Sequence, residues 1–122
     1  MILLDTNALI WLVQKHRRAQ PLQDRTGLHI SPASVLELQY LVEAGKLRAP
    51  GQYSSDAIVN DPRYALDEPA AGRWFEQAAE VSWTRDPFDR LLVAHARLRR
   101  WKLATGDGPL LERLRPSESL AL

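Results

Sequence analysis

The order of apolar runs and amphipathic stretches predicts an α/β protein, with a parallel sheet covered by helices on both faces. Two observations carry this expectation. Short apolar runs recur at Ile2–Leu4, Leu28–Ile30, Tyr64–Leu66, Lys102–Thr105 and Leu120–Leu122, each too short for a helix core or a membrane span. Between them, helix-start and helix-stop signals delimit segments of helical length, so strand and helix alternate from end to end.

Ile2-Leu3-Leu4 reads as a fully buried strand, as found inside a parallel sheet. Asp5 then stands at the carboxyl end of that strand, where open α/β sheets bind ligands. Leu9, Leu12 and Val13 fall at helical spacing, predicting a helix over Asn7–Lys15 capped by Thr6 or Asn7. A basic, polar stretch from His16-Arg17-Arg18 to Gly27 leads to the second strand, Leu28–Ile30. Ser31 as cap and Pro32 at the first helical position start a helix over Pro32–Ala44, which Gly45 ends.

Gly51–Asp61 carries the weakest signal, one or two helical turns over Ser55–Val59, and Pro62 breaks it. The third strand, Tyr64–Leu66, precedes a helix over Glu68–Ala79 with Pro69 in its first turn. Val81–Trp83 leads into a loop. Asp86-Pro87 repeats the cap-then-proline signal and opens a helix to about Arg100. Strand four, Lys102–Thr105, ends near Asp107; a short helix over Pro109–Leu114 and a closing strand, Leu120–Leu122, follow. No repeat, linker or low-complexity tract interrupts the order, so residues 1–122 read as a single domain.

Composition narrows the function. Hydrophobic content of 45% and charged content of 25% are ordinary for a soluble domain. Without cysteine there is neither a disulfide framework nor a thiolate metal site, which fits a reducing cytoplasm. Neither a signal peptide nor a transmembrane stretch is expected. A formal charge of +1 excludes a strongly basic nucleic-acid coat, so a nucleic-acid partner would need a local patch or a metal site. His16, His29 and His95 lack metal-ligand spacing, and no Gly-x-Ser-x-Gly elbow exists. His95 reads as a packed or interface residue, and Trp11, Trp74, Trp83 and Trp101 as core or dimer contacts.

The acids offer a chemistry. Glu37 has Ala33, Tyr40, Leu41 and Ala44 as helical neighbours, which places a carboxylate on a largely apolar stripe. A capping-box role with Ser34 is discounted because Pro32 starts the helix earlier. A buried structural glutamate and a functional one both remain open. Asp89 has Val93 and Ala96 on its face, yet a first-turn acid favoured by the helix dipole explains it equally. Asp107 reads as a turn or cap residue or as a site acid. What adds weight is shared position: Asp5 and Asp107 follow strands, while Glu37 and Asp89 open helices. All four belong at one edge of the sheet. Clustered carboxylates repel unless cations neutralise them, and hard oxygen-preferring Mg²⁺ or Mn²⁺, one ion or two, fits such a set. That machinery hydrolyses phosphodiesters.

These segments resemble the PIN-domain family, in particular its VapC-like ribonuclease toxins. Leu3-Leu4-Asp5-Thr6-Asn7-Ala8-Leu9 is similar to the family's first motif, and Ser31-Pro-Ala-Ser34-Val-Leu-Glu37-Leu with Gly45-Lys-Leu47 to its second. Trp83-Thr-Arg-Asp86-Pro-Phe-Asp89-Arg-Leu-Leu-Val-Ala94-His-Ala96 resembles the third and is the most specific; Leu103-Ala-Thr105-Gly-Asp107 resembles the fourth. The resemblance implies a three-layer α/β/α fold with a mostly parallel five-stranded sheet. It also implies a metal-dependent endoribonuclease, commonly dimeric, restrained by a cognate VapB-like antitoxin. Asp5, Glu37, Asp89 and Asp107 would be the catalytic and metal-site acids, with Asp86 ranked below them as a further site acid or a helix cap.

In that reading Asp5 and Asp89 anchor Mg²⁺ and Glu37 orients or deprotonates the attacking water. Thr6, Asn7, Ser34 and Thr105 are candidates for positioning phosphate or water, with ordinary capping favoured. Arg85 and Arg90 beside the third motif are the better phosphate contacts. Lys15, Arg17 and Arg18 follow the first helix as further basic residues. Arg97, Arg99, Arg100 and Lys102 read as a solvated helix face. Residues 48–66 match no part of the family pattern, and glycines flank Asp107. Two alternatives stand beside this reading. One is a haloacid-dehalogenase-like phosphatase with Asp5 as nucleophile, which would need an acid where Asn7 stands. The other is a PIN-like RNA-binding module without catalysis.

Overall fold

The structure, a computed structural model, describes residues 1–48 and 50–122. β1 (Ile2–Leu4) runs directly into α1 (Thr6–Val13). The basic, polar stretch forms a 3₁₀ segment over Arg17–Leu22 before β2 (Leu28–Ile30). α2 (Pro32–Glu43) follows with Ser31 as its cap, accepting the Ala33 N–H at 3.1 Å. Of the unmatched segment 48–66, residue 49 lies outside the described residues. The rest holds a 3₁₀ turn (Pro50–Tyr53), α3 (Ser55–Val59) and β3 (Ala65–Leu66). α4 (Ala71–Ala79), α5 (Pro87–Arg99), β4 (Lys102–Thr105), α6 (Gly108–Arg113) and β5 (Ser119–Ala121) complete the chain.

Among the described residues the strands form one five-stranded sheet in the order β3-β2-β1-β4-β5, and every pairing is parallel. Period-two alternation in β1 builds the layers. Ile2 and Leu4 join a core with Leu9, Leu12, Ile30 and Leu38 under α1 and α2. Leu3 points the other way, into a core with Trp74, Leu92, Val93 and Leu103 under α4 and α5. Each fully buried leucine of this kind contributes about 1.5–3 kcal/mol.

Strand order reverses between β1 and β4. The chain first winds outward through β2 and β3, then crosses to β4 and β5 on the other side. In open α/β sheets the crevice outside the carboxyl ends at such a point binds ligands. Asp5 follows β1 there, held by its N–H to the Ala104 carbonyl at 3.0 Å, and Asp107 follows β4.

Several element ends differ from expectation. α1 is capped by Asp5 rather than by Thr6 or Asn7: the Asp5 Oδ1 accepts the Ala8 N–H at 2.7 Å. α4 starts at Ala71, not Glu68. Pro69 biases Glu68 away from helical backbone. Asp67 extends the sheet edge through its N–H to the Ile30 carbonyl. α6 begins one residue early, at Gly108, because Asp107 caps it. β5 is shifted to Ser119–Ala121, with the Leu122 N–H continuing the ladder onto Thr105. No helix among the described residues is long and apolar enough to cross a membrane.

Candidate active site

Asp5, Glu37, Asp89 and Asp107 line one pocket of about 170 Å³ together with Thr6, Asn7, Leu41 and Leu92. Four separate segments supply the acids. Asp5 ends β1, Glu37 lies in the second turn of α2, Asp89 in the first turn of α5, and Asp107 after β4. The stripe expected around Glu37 is apolar only in part. Ala33 is buried and Leu41 half-buried, but Tyr40 and Ala44 are exposed. Glu37 itself is half-buried.

Hydroxyls organise the pocket's inner wall. The Thr6 hydroxyl donates to Glu37 Oε1, and its Oγ1 lies 3.0 Å from the Ser34 Oγ. With the Thr6 proton directed at Glu37, Ser34 donates to Thr6. Both side chains are buried. The capping role favoured for Thr6 and Ser34 is therefore corrected, because neither spends its hydroxyl on a helix end. Thr105 does serve a turn, accepting the Asp107 N–H at 3.0 Å. Asn7 is exposed at the pocket's rim.

The electrostatics are strained in one direction. Burial pushes the Asp5 carboxyl up to about 6, with the Asp107 charge adding; the Thr105 hydroxyl, the Ala8 N–H and Arg18 oppose it. Burial, then the charges of Asp86, Asp107, Glu37 and Asp5, push Asp89 up to about 7. Glu37 is raised by burial and by Asp86 and Asp5, against the Thr6 hydrogen bond. A cation in the pocket would relieve each of these.

The donor set, all carboxylate oxygen, fits a hard divalent ion in kind. The four side chains line the pocket without closing on a point. Among the described residues no group of three or more acids or histidines stands ready to hold an ion.

Asp86 does not line the pocket. It caps α5, accepting from Phe88 N–H at 2.8 Å and Asp89 N–H at 3.3 Å, and acts on the pocket carboxylates through its charge. Asp107 does both jobs: it lines the pocket and caps α6 through the Leu110 N–H at 3.2 Å. Arg90 donates to the Thr84 carbonyl at 2.7 Å and pins the loop before α5, while Arg85 is exposed. Neither arginine lines the acid pocket.

Arg18 is drawn away from the basic stretch. Its guanidinium lies 4.3 Å from the Trp11 ring centroid and donates to the Leu122 carbonyl at 2.9 Å. Sequence reasoning missed a second cavity, of about 400 Å³, that shares Asp89 and Asp107 with the acid pocket and is walled by Trp83, Thr84, Pro109 and Arg113. The aromatic residue opening the third motif was the available signal.

A parallel sheet with helices on both faces, carrying acids at its switch point, defines an α/β/α protein with a polyacidic pocket. The family model for the PIN domain matches residues 2–114, and the chain belongs to that family. Its fold is shared by the toxin–antitoxin complex from Klebsiella pneumoniae, with a TM-score of 0.72 and 18% identity over 99% of this chain and 97% of that one. DNA-bound VapBC from Salmonella typhimurium gives a TM-score of 0.69 and 22% identity over 98% and 96%. VapBC2 from Rickettsia felis, bound to a DNA fragment from its promoter, gives 0.62 and 22% over 96% and 95%. No curated protein matches the chain by sequence. PIN-family membership leaves the haloacid-dehalogenase-like alternative without support.

Proposed function

We propose that this PIN-domain protein is a metal-dependent endoribonuclease, the toxin of a toxin–antitoxin pair acting on cytoplasmic RNA. One observation carries the reading: four carboxylates from four segments of a PIN-family chain line a single pocket at the sheet's switch point. Asp5, Asp89 and Asp107, with Glu37, would hold Mg²⁺ or Mn²⁺. When bound, the ion supplies neutralising charge to the scissile phosphate and acidifies water beside it. Glu37, oriented by Thr6, takes the proton of the attacking water. Asp5 is fixed by its cap bond to Ala8 at the pocket wall. Asp107 is held in the same way by Thr105 and Leu110. The three neighbouring folds are all toxin–antitoxin complexes, which supports a VapB-like antitoxin as partner; a homodimer or a toxin–antitoxin hetero-oligomer is the assembly this reading implies.

The test is cleavage of end-labelled RNA with Mn²⁺, Mg²⁺ or EDTA, for the wild type and for Asp5→Asn, Glu37→Gln and Asp89→Asn. Each variant is expected to lose at least about a hundredfold, the scale of a lost acid–base or metal contact. Undiminished cleavage by all three, or full activity in EDTA, sinks the mechanism. Co-purification with the product of an adjacent small gene tests the antitoxin.

A further inference from the structure

The acid pocket does not end at Asp89 and Asp107. These two carboxylates form its shared wall with the second cavity, of about 400 Å³, which Trp83, Thr84, Pro109, Leu110, Glu112 and Arg113 complete. That volume lies in the range that holds small organic ligands. Its lining mixes a large aromatic surface, a proline and a cation. The Arg113 guanidinium stands 5.9 Å from the Trp83 ring centroid. Trp83 is half-buried, its inner part packed on the α4–α5 core, so its position is set by the fold. The preceding loop is braced as well, since Arg90 holds the Thr84 carbonyl and the Thr84 hydroxyl accepts the Asp86 N–H at 3.3 Å.

We propose that this cavity is a nucleobase subsite, taking the base next to the scissile phosphate of a single-stranded RNA segment. Trp83 supplies the stacking surface, and Arg113, which lies over that ring in the free protein, moves off it to contact the adjoining sugar–phosphate. An unpaired base offers a π-face to any aromatic wall, and single-strand binders combine such walls with arginine. Continuity through Asp89 and Asp107 places the base one step from the phosphate that the acids would act on. The inference rests on the ribonuclease reading, and its test separates the two.

The experiment uses an RNA oligonucleotide and its counterpart lacking the single base beside the cleaved bond. For the intact RNA, Trp83→Ala is expected to lower kcat/KM by about ten- to a hundredfold, the scale of one stacked base. Trp83→Phe restores most of it, and Arg113→Gln loses about tenfold. For the RNA missing that base, wild type and Trp83→Ala cleave alike. Calorimetric Mn²⁺ binding is the same in all variants, which also reports an intact fold. Equal loss on both RNAs overturns the subsite, as does no loss on either. If the wild type does not cleave, fluorescence anisotropy with Mn²⁺ decides, comparing the intact RNA with one that lacks all its bases. Tighter binding of the intact RNA that disappears in Trp83→Ala supports the subsite without the nuclease reading. Equal binding of both RNAs, or none, overturns it.

Discussion

The hydroxyl of Thr6, at the start of α1, donates a hydrogen bond to the carboxylate of Glu37 on α2. Together with the Thr6–Ser34 hydrogen bond, this contact ties the helix after β1 to the helix after β2 beside the acid pocket. It also lowers the pKa of a carboxylate that burial and two other acids raise. Thr6→Val keeps the shape but removes the donor and leaves the buried Ser34 hydroxyl without its partner. Stability is expected to fall by about 1–2 kcal/mol in denaturant unfolding. RNA cleavage should fall about tenfold, equal to 1.4 kcal/mol of barrier. The acid limb of its pH profile should move to higher pH, because Glu37 then titrates later. Thr6→Ser restores both. An unmoved acid limb in Thr6→Val would show that Glu37 does not act as the base.

The raised carboxyls make a second expectation, for the metal-free protein. Asp5 titrates near 6 and Asp89 near 7, both above their ordinary 3.8. Well below 3.8, near pH 2, these groups are protonated in folded and unfolded chains alike. As pH rises, the unfolded chain releases its protons first, so the folded state loses stability until about pH 7. Asp89→Asn removes one of these penalties. Its stability advantage over wild type should be near zero at pH 2 and grow to about 1–2 kcal/mol at pH 8, after discounting for the half-exposed position of Asp89. Mn²⁺ reverses the order. If the acids hold Mn²⁺ as proposed, the ion at a hundred times its Kd should stabilise the wild type by about 2.7 kcal/mol and the variant far less. Thermal melts at pH 2, 6 and 8, with and without Mn²⁺ at the upper two, check both signs.

The layered α/β fold was legible because β1, β2 and β4 announce themselves as short apolar runs, and Ser31-Pro32 and Asp86-Pro87 mark helix starts by a local rule. Asp5, Glu37, Asp89 and Asp107 were legible as a set because strand ends and helix starts share one edge of a parallel sheet. Less legible was anything decided by side-chain partners far along the chain. Thr6 looks like a cap in isolation; only Ser34 and Glu37, 28 and 31 residues on, show otherwise. The start of α4 at Ala71 depends on the pairing of Asp67 with Ile30, which no local pattern records. Arg18 reads as a phosphate contact until Leu122, at the other end of the chain, is placed beside it.

Gly106 separates Thr105 from Asp107 and allows no side chain. A Cβ there would stand 2.5 Å from an Arg18 nitrogen and 2.6 and 2.9 Å from two carbons of the Trp11 ring. Arg18 could swing away; the indole has less freedom. Gly106→Ala is therefore expected to cost about 1–3 kcal/mol, the usual range for overpacking. It should also break the Arg18 bonds to Gly106 and Leu122. Because Arg18 lowers the Asp5 pKa, its displacement should raise that carboxyl further. Gly108→Ala, where nothing lies within 4 Å of the added atom, is the neutral control. Equal melting temperatures for the two variants would refute the packing argument.

Asp67, beyond β3, accepts from His95 Nε2 at 2.7 Å and from Arg99 Nε at 2.8 Å, stitching the sheet edge to α5. Burial works against its charge, but the Arg99 and His95 hydrogen bonds outweigh it and hold the carboxyl below its ordinary value. Burial lowers the pKa of His95, which keeps the ring neutral at pH 7, so Nε2–H is the donor and the fully buried Nδ1 has no partner among the described residues. Asp67→Ala strands the Nε2–H as well and is expected to cost about 1–3 kcal/mol. Asp67→Asn keeps an acceptor and should lose less. The sign with pH is opposite to that of Asp89. A depressed carboxyl stabilises the fold above its unfolded pKa and loses that contribution as pH falls, so the gap between wild type and Asp67→Ala should narrow from pH 6 to pH 3. Asp67 lines neither the acid pocket nor its neighbour. RNA cleavage and Mn²⁺ affinity of the folded variant should therefore match wild type, and a change in either would place this network within the active site's support.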